Sequence, residues 1–122
     1  MKRDGHCLCG ATSYTVTGAA KFAIHCYCSD CQRVTGGAAA AQVAFAKDTV
    51  TVRGPLKHHF ATADSGNTLD FGFCGECGSP VVKSTTRAPD LMFVYLGTLN
   101  DTDGLPALKP LFEESRPPWD LA

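Results

Sequence analysis

Along the chain, apolar residues come in short runs broken by Gly, Pro, Asn and Asp, and a helical spacing of apolar positions is nearly absent. This pattern predicts strands over 12–16, 22–25, 39–45, 49–53, 58–61, 68–73, 80–84 and 91–97, with a last one near 111–114. The segment 91–96, Leu-Met-Phe-Val-Tyr-Leu, is apolar on both faces, which suits a central strand covered on each side. One short helix is predicted over 29–34. Ser29 and Gln32 have capping-box spacing there, and Asp30 lies in the first turn, where the helix dipole favours an anion. The fold class is mostly β, with short helical turns.

Length and charge narrow this picture. The 122 residues fit one domain, residues 1–122, with no room for a second core. With 11 basic and 12 acidic residues (net -1) and no polybasic run, nothing in the charge asks for nucleic acid or an anionic membrane surface as partner. The longest apolar stretch, 38–46, is interrupted by Gln42 and is too short to span a bilayer. The opening MKRDGHCLCG carries two early basic residues but no apolar core of a secretory signal. A homo-oligomer is compatible with all of this.

The cysteines change the picture most. There are seven, an odd number, gathered in CxC and CxxC pairs instead of being spread as a disulfide framework would be. That usage predicts reduced thiols, a cytoplasmic location and bound metal, whose folding free energy a chain with 12 Gly and 7 Pro would need. The groups are Cys7-Leu8-Cys9, Cys26-Tyr27-Cys28-Ser29-Asp30-Cys31 and Cys74-Gly75-Glu76-Cys77-Gly78. In an extended strand Cys7 and Cys9 point to one face, and in a CxxC turn two thiolates meet one ion, with Gly75 and Gly78 supplying permissive backbone. Seven thiolates fit two tetrahedral zinc ions with one position open. Spacing leaves the partition ambiguous: Cys28, Cys31, Cys74 and Cys77 could form a zinc ribbon, whereas the closeness of Cys26, Cys28 and Cys31 in sequence favours a separate triad.

Other candidates are fewer. Arg33, two residues past Cys31, is the nearest cation to an open position and a candidate anion clamp. His25 precedes Cys26 and reads as a strand or supporting residue before a base. His6 points away from Cys7 in a strand, and His58-His59 reads as part of a strand with one solvated face. Asp101 and Asp103 beside Gly104 form a turn. Trp119, after Pro117-Pro118, is expected to anchor the tail on the core.

Taken together, Cys7-Leu8-Cys9-Gly10, His25-Cys26-Tyr27-Cys28-Ser29-Asp30-Cys31-Gln32-Arg33, Phe73-Cys74-Gly75-Glu76-Cys77-Gly78-Ser79 and Ser115-Arg116-Pro117-Pro118-Trp119 resemble the glutathione-dependent formaldehyde-activating enzyme family, which also contains centromere protein V. The resemblance implies a zinc-binding β-tent, with Cys7, Cys9, Cys74 and Cys77 on a structural zinc and Cys26, Cys28 and Cys31 on a second, catalytic one. It implies a carbon–sulfur lyase activity on thiol/aldehyde adducts, such as glutathione plus formaldehyde giving S-hydroxymethylglutathione. Family members with that activity are longer than this chain, so fold and ligands carry over better than substrate. Two readings compete: a non-catalytic zinc-binding interaction module, and a thiol redox or metal-handling protein whose open cysteines react themselves.

Overall fold

The computed structural model describes residues 2–121. In it the chain runs β1 (Arg3–His6), β2 (Ser13–Val16), β3 (Phe22–Cys26), α1 (Ser29–Thr35), β4 (Ala40–Ala46), β5 (Val50–Arg53), β6 (Leu56–Thr62), β7 (Thr68–Cys74), β8 (Pro80–Thr85), β9 (Leu91–Tyr95) and β10 (Leu108–Leu111). The fold is mostly β, as the alternation predicts. A three-stranded sheet has the order β1-β2-β5, and a seven-stranded sheet has the order β10-β3-β4-β9-β8-β7-β6. All neighbours are antiparallel except β10 and β3. The expected central strand, β9, stands in the middle of the larger sheet, and Phe93, Val94 and Tyr95 are buried.

Differences from the expected elements have local causes. Arg3-Asp4-Gly5-His6 contains no apolar residue, so periodicity gives no signal for β1. Buried Arg3 instead ties the strand down, donating to the carbonyls of Asp101 (3.0 Å) and Asp103 (2.7 Å). The last strand lies earlier than 111–114, over Leu108–Leu111, with its Pro110 on the sheet edge where the missing N–H is tolerated. Residues 113–115 form a 3-10 turn after Phe112, whose φ is 60. Strand β9 stops at Tyr95 and passes into a 3-10 turn over Leu96–Thr98. β6 is the other edge strand, so His58 and His59 are both exposed instead of alternating between core and solvent.

The helix ends at Gly36 (φ 70), whose N–H donates to the Gln32 carbonyl at 2.8 Å. Its start departs from the capping box. Cys28 is the N-cap, its sulfur accepting from the Cys31 N–H at 3.4 Å. The Gln32 amide turns outward and donates to the carbonyls of Tyr27 (2.8 Å) and Ser115 (3.0 Å).

The main core joins the two sheets through Tyr14, Val16, Val43, Phe45, Val81, Val82 and Val94. Cys7 and Cys74 belong to it. A second, smaller buried cluster holds Cys26, Cys31, Ala40 and Tyr95 beneath α1. Gly5 faces Tyr14 across β1 and β2. A methyl group on it would strike the Tyr14 ring and come within 2.6 Å of the Thr98 carbonyl. Because Tyr14 is fully buried, with its hydroxyl bonded to Thr98 Oγ1 at 2.6 Å, the ring has nowhere to move. Gly5→Ala is therefore expected to destabilise the fold by about 1–3 kcal/mol, the usual cost of overpacking, read by chemical denaturation.

Candidate metal centres

The seven cysteines are all free thiols, and they gather in two places. Cys7, Cys9, Cys74 and Cys77 form one group and Cys26, Cys28 and Cys31 the other, each with its sulfurs within 4.8 Å of one another. The ribbon-type grouping of Cys28 and Cys31 with Cys74 and Cys77 does not form. In the four-sulfur group, Cys7 and Cys9 sit in a turn after β1, not in an extended strand. The Gly10 N–H closes that turn on the Cys7 carbonyl at 3.2 Å, with Gly10 at φ 81. The other pair comes from a knuckle after β7, where the N–H of Gly78 donates to the Cys74 carbonyl at 2.8 Å. Sulfur–sulfur separations are 3.7 Å for Cys7 and Cys9 and 3.8 Å for Cys9 and Cys74.

Backbone N–H groups point at these sulfurs: Thr12 to Cys7 (3.3 Å), Ala11 to Cys9 (3.5 Å) and Glu76 to Cys74 (3.3 Å). The Ser79 hydroxyl lies 3.2 Å from the Cys77 sulfur; with the Ser79 N–H it holds that thiol down, at about 5. Such donors stabilise thiolates, the form that binds metal.

The three-sulfur group is built from the end of β3 and the first turn of α1. Cys26 and Cys31 are buried and Cys28 is half-buried. Contacts from Cys26 and then Cys31, helped by the Cys31 N–H, hold the Cys28 thiol far below its ordinary value, at about 2. In turn Cys26 and then Cys28 push Cys31 up, and Cys28 pushes Cys26 up. The shifts favour the thiolate at Cys28 and the neutral thiol at Cys26 and Cys31, and a bound cation would favour all three as thiolates.

Three residues that sequence reasoning passed over surround this group. Gln42, fully buried, donates its amide to Cys31 Sγ at 3.5 Å. Directly opposite it across β4 and β9 stands Tyr95, packed with Cys26 and Cys31. Burial first, then the nearby cysteines, push the Tyr95 hydroxyl well above its ordinary range, so it stays protonated. Lys83 is buried on β8, its Nζ 5.2 Å from the centre of the Phe93 ring. Among the described residues no carboxylate pairs with it, and its charge favours the thiolates of Cys28 and Cys31. Each had a sequence signal: Gln42 breaks an apolar run, Lys83 follows Val81-Val82 in a strand, and Tyr95 is the one hydroxyl in the apolar segment 91–96. Beside Tyr95 opens a cavity of about 190 Å³, walled mainly by Val34, Phe71, Phe73 and Pro80, with His59 at its edge.

The remaining candidates lie elsewhere. Arg33 is exposed on the outer side of α1, in a groove with Ser29, Gln32 and Trp119. Two residues along a helix is about 200° of rotation, which turns its Cα–Cβ direction away from Cys31. Trp119 is 65% exposed beside α1, so it does not anchor the tail in the core. The tail is held instead by the Gln32 bond to Ser115 and by Arg116 bonded to Asp120 (2.9 Å) and to the Leu121 carbonyl. His25 packs edge-on against Tyr27, ring centres 5.1 Å apart. Its neighbour in sequence, Cys26, faces the opposite side of β3. His6 is exposed, with Nδ1 2.7 Å from the Cys7 carbonyl. His58 pairs with Asp70 at 2.9 Å. Asp101 and Asp103 do form a turn, the Asp103 N–H donating to Asp101 Oδ1 at 2.9 Å.

These geometries agree with what the chain is similar to. The family description "Glutathione-dependent formaldehyde-activating enzyme" matches residues 2–115, nearly the whole chain, and the protein belongs to that family. A Halomonas elongata protein named "Putative glutathione-dependent formaldehyde-activating enzyme" is 27% identical over 125 residues, covering 98% of this chain and 80% of its own length. The crystal structure of a Rhodobacter sphaeroides protein superposes with a TM-score of 0.67, at 21% identity, covering 87% of this chain and 99% of that one. That likeness concerns the fold alone. No helix among the described residues is long and apolar enough to cross a membrane.

The family's metal can be tested against the sulfurs. A tetrahedral zinc with bonds near 2.3 Å requires sulfur–sulfur edges of about 3.8 Å, and the four-sulfur group already shows 3.7 and 3.8 Å. Thiolate donors and N–H···S bonds suit a soft divalent ion, so the residues fit it. The two groups should differ in their weight in the fold. Cys74→Ser places a hydroxyl at a fully buried position of the main core and is expected to abolish cooperative folding. Cys28→Ser alters a half-buried helix cap and should leave a folded chain. Circular dichroism melts decide, and equal collapse of both variants would count against the division.

Proposed function

We propose that the chain catalyses the reversible addition of a thiol to an aldehyde, making or breaking one carbon–sulfur bond, with glutathione and formaldehyde as the pair the family suggests. The observation that carries this reading is the three-sulfur group: it has one donor fewer than its four-sulfur counterpart, and Tyr95 and Val34, which pack with it, also line a cavity. In this reading Cys7, Cys9, Cys74 and Cys77 hold a structural zinc, and Cys26, Cys28 and Cys31 hold a second, catalytic one. When bound there, zinc supplies a soft Lewis acid with a free coordination position, which favours the ionised form of a substrate thiol. The reduced cysteines fit a cytoplasmic setting.

The chain's own residues then do the rest. The N–H of Cys31 donates to Cys28 and the amide of Gln42 to Cys31, and each donor favours the ionised form of the sulfur it meets. Lys83 offsets the negative charge of three thiolates, which would otherwise repel an anionic thiol. The apolar wall of Val34, Phe71 and Phe73 limits water around the reacting carbon. Arg33, across α1, is the candidate clamp for a carboxylate of glutathione.

Cobalt substitution tests the reading, because thiolate-to-cobalt absorption changes when a further sulfur enters. Added thiol is expected to shift the bands of one of two bound ions, the same sample should form or split a hydroxymethyl thiol adduct, and Cys28→Ser should abolish turnover. Unchanged bands with no turnover would favour a non-catalytic zinc module. Arg33→Ala should weaken glutathione binding only severalfold, about 0.2–1 kcal/mol for a solvent-exposed ion pair, and leave a neutral thiol unaffected. Calorimetry with both thiols checks this.

A further inference from the structure

Among the described residues, four buried side-chain polar atoms find no hydrogen-bond partner: Thr12 Oγ1, His25 Nδ1, Gln42 Oε1 and Tyr95 Oη. Thr12 stands at the four-sulfur group, its N–H donating to Cys7. His25 lies on the face of β3 away from Cys26. The other two belong to facing residues. Gln42 and Tyr95 are directly opposed on β4 and β9, which puts their Cβ atoms about 4.5–5.5 Å apart on one face of the sheet. Gln42 spends its N–H on Cys31 and so leaves its carbonyl, an acceptor, unused. Tyr95 leaves a hydroxyl donor unused against Cys26 and Cys31.

Buried groups of this kind destabilise a fold unless something satisfies them. Here the two are opposite in sense, and both adjoin the triad. An oxygen that accepts from one and donates to the other, as a hydroxyl does, satisfies both.

We infer that Tyr95 Oη–H and Gln42 Oε1 form a subsite for the oxygen of the hydroxymethyl adduct, an assignment that rests on the carbon–sulfur reading above. In the forward direction the thiolate lone pair forms the C–S bond and the carbonyl π pair moves to oxygen. Tyr95 donates to that oxygen as its negative charge grows. The oxygen then takes a proton from water, matching the proton the thiol released on ionising, and its new O–H donates to Gln42. No electron donor or acceptor is required. In the reverse direction the hydroxyl, held by Gln42, turns and gives its proton to water; the oxygen pair, steadied by Tyr95, re-forms the carbonyl, and the C–S pair returns to sulfur.

Tyr95→Phe tests the assignment, since it keeps the ring and removes only the orphaned oxygen. Turnover of S-hydroxymethylglutathione is expected to fall about 100-fold, the effect of losing one oxyanion donor. The wild-type protein should bind S-hydroxymethylglutathione more tightly than S-methylglutathione, and the variant should lose that preference. Zinc content should be unchanged, and the melting temperature equal to or above wild type, because a buried unpaired hydroxyl has been removed. Turnover within threefold of wild type, an undiminished preference for the hydroxymethyl ligand, or a lowered melting temperature would overturn the assignment and point to a structural hydroxyl. A wild-type protein that turns over no adduct would instead overturn the carbon–sulfur reading itself, and the subsite with it.

Discussion

Four sulfurs from two distant stretches of the chain must meet, and the rest of the structure is arranged around that requirement. Cys9 and Cys74 are 65 positions apart and their sulfurs are 3.8 Å apart. Closing so long a loop has an entropic cost that the small sheet alone could not offset, since β1, β2 and β5 are only four residues each. The junction is reinforced by backbone: the Gly75 N–H donates to the Pro55 carbonyl at 2.6 Å, and the Leu8 N–H to Ser79 Oγ at 3.1 Å. Cys7 and Cys74, at 1% and 0% exposure, are core residues as well as donors. A bound ion would therefore add its free energy at the point where the two sheets touch.

The second sulfur group meets a different difficulty, the burial of like charges. Three thiolates in one pocket repel one another, and burial withdraws the water that would screen them. The chain answers with a backbone N–H from Cys31, an amide from Gln42 and the ammonium of Lys83, each from a different element. Lys83 is itself an uncomfortable residue to bury, since no carboxylate pairs with it among the described residues. Its position facing Phe93 gives it a weak cation–π contact, and the negative triad supplies the counter-charge.

Much of this was legible in the sequence because spacing and alternation are local properties. Nine strands and the helix announce themselves by period-2 runs, by breakers and by first-turn chemistry. β1 does not, because what holds Arg3-Asp4-Gly5-His6 in place is a pair of carbonyls about a hundred residues away. Cysteine spacing named the donors but not how they divide, since two CxxC pairs can meet as well as a triad can; the fold brings Cys7 and Cys9 to the knuckle after β7. Proximity in sequence also overstated how near Arg33 stands to the triad, since helical rotation turns it to the outer side of α1. Gln42, Lys83 and Tyr95 escaped for the same reason β1 did: they come from three strands and converge only through the register of the larger sheet.

The two sulfur groups differ in what surrounds them: backbone turns with one unpaired hydroxyl, Thr12 Oγ1, at the first, and side chains with two unpaired polar atoms at the second. Around the four-sulfur group the donors are chiefly backbone N–H groups in turns fixed by their own hydrogen bonds, so the site and the fold stabilise each other. Around the triad the neighbours are side chains, and two of them keep polar atoms buried and unpaired. Selection for stability alone would replace Tyr95 with Phe and Gln42 with an apolar residue of similar size, because an unsatisfied buried group costs about 1–3 kcal/mol. On the proposed reading, Tyr95 and Gln42 carry that cost beside the three thiols because a ligand satisfies them there, a trade of stability for function that proteins commonly make.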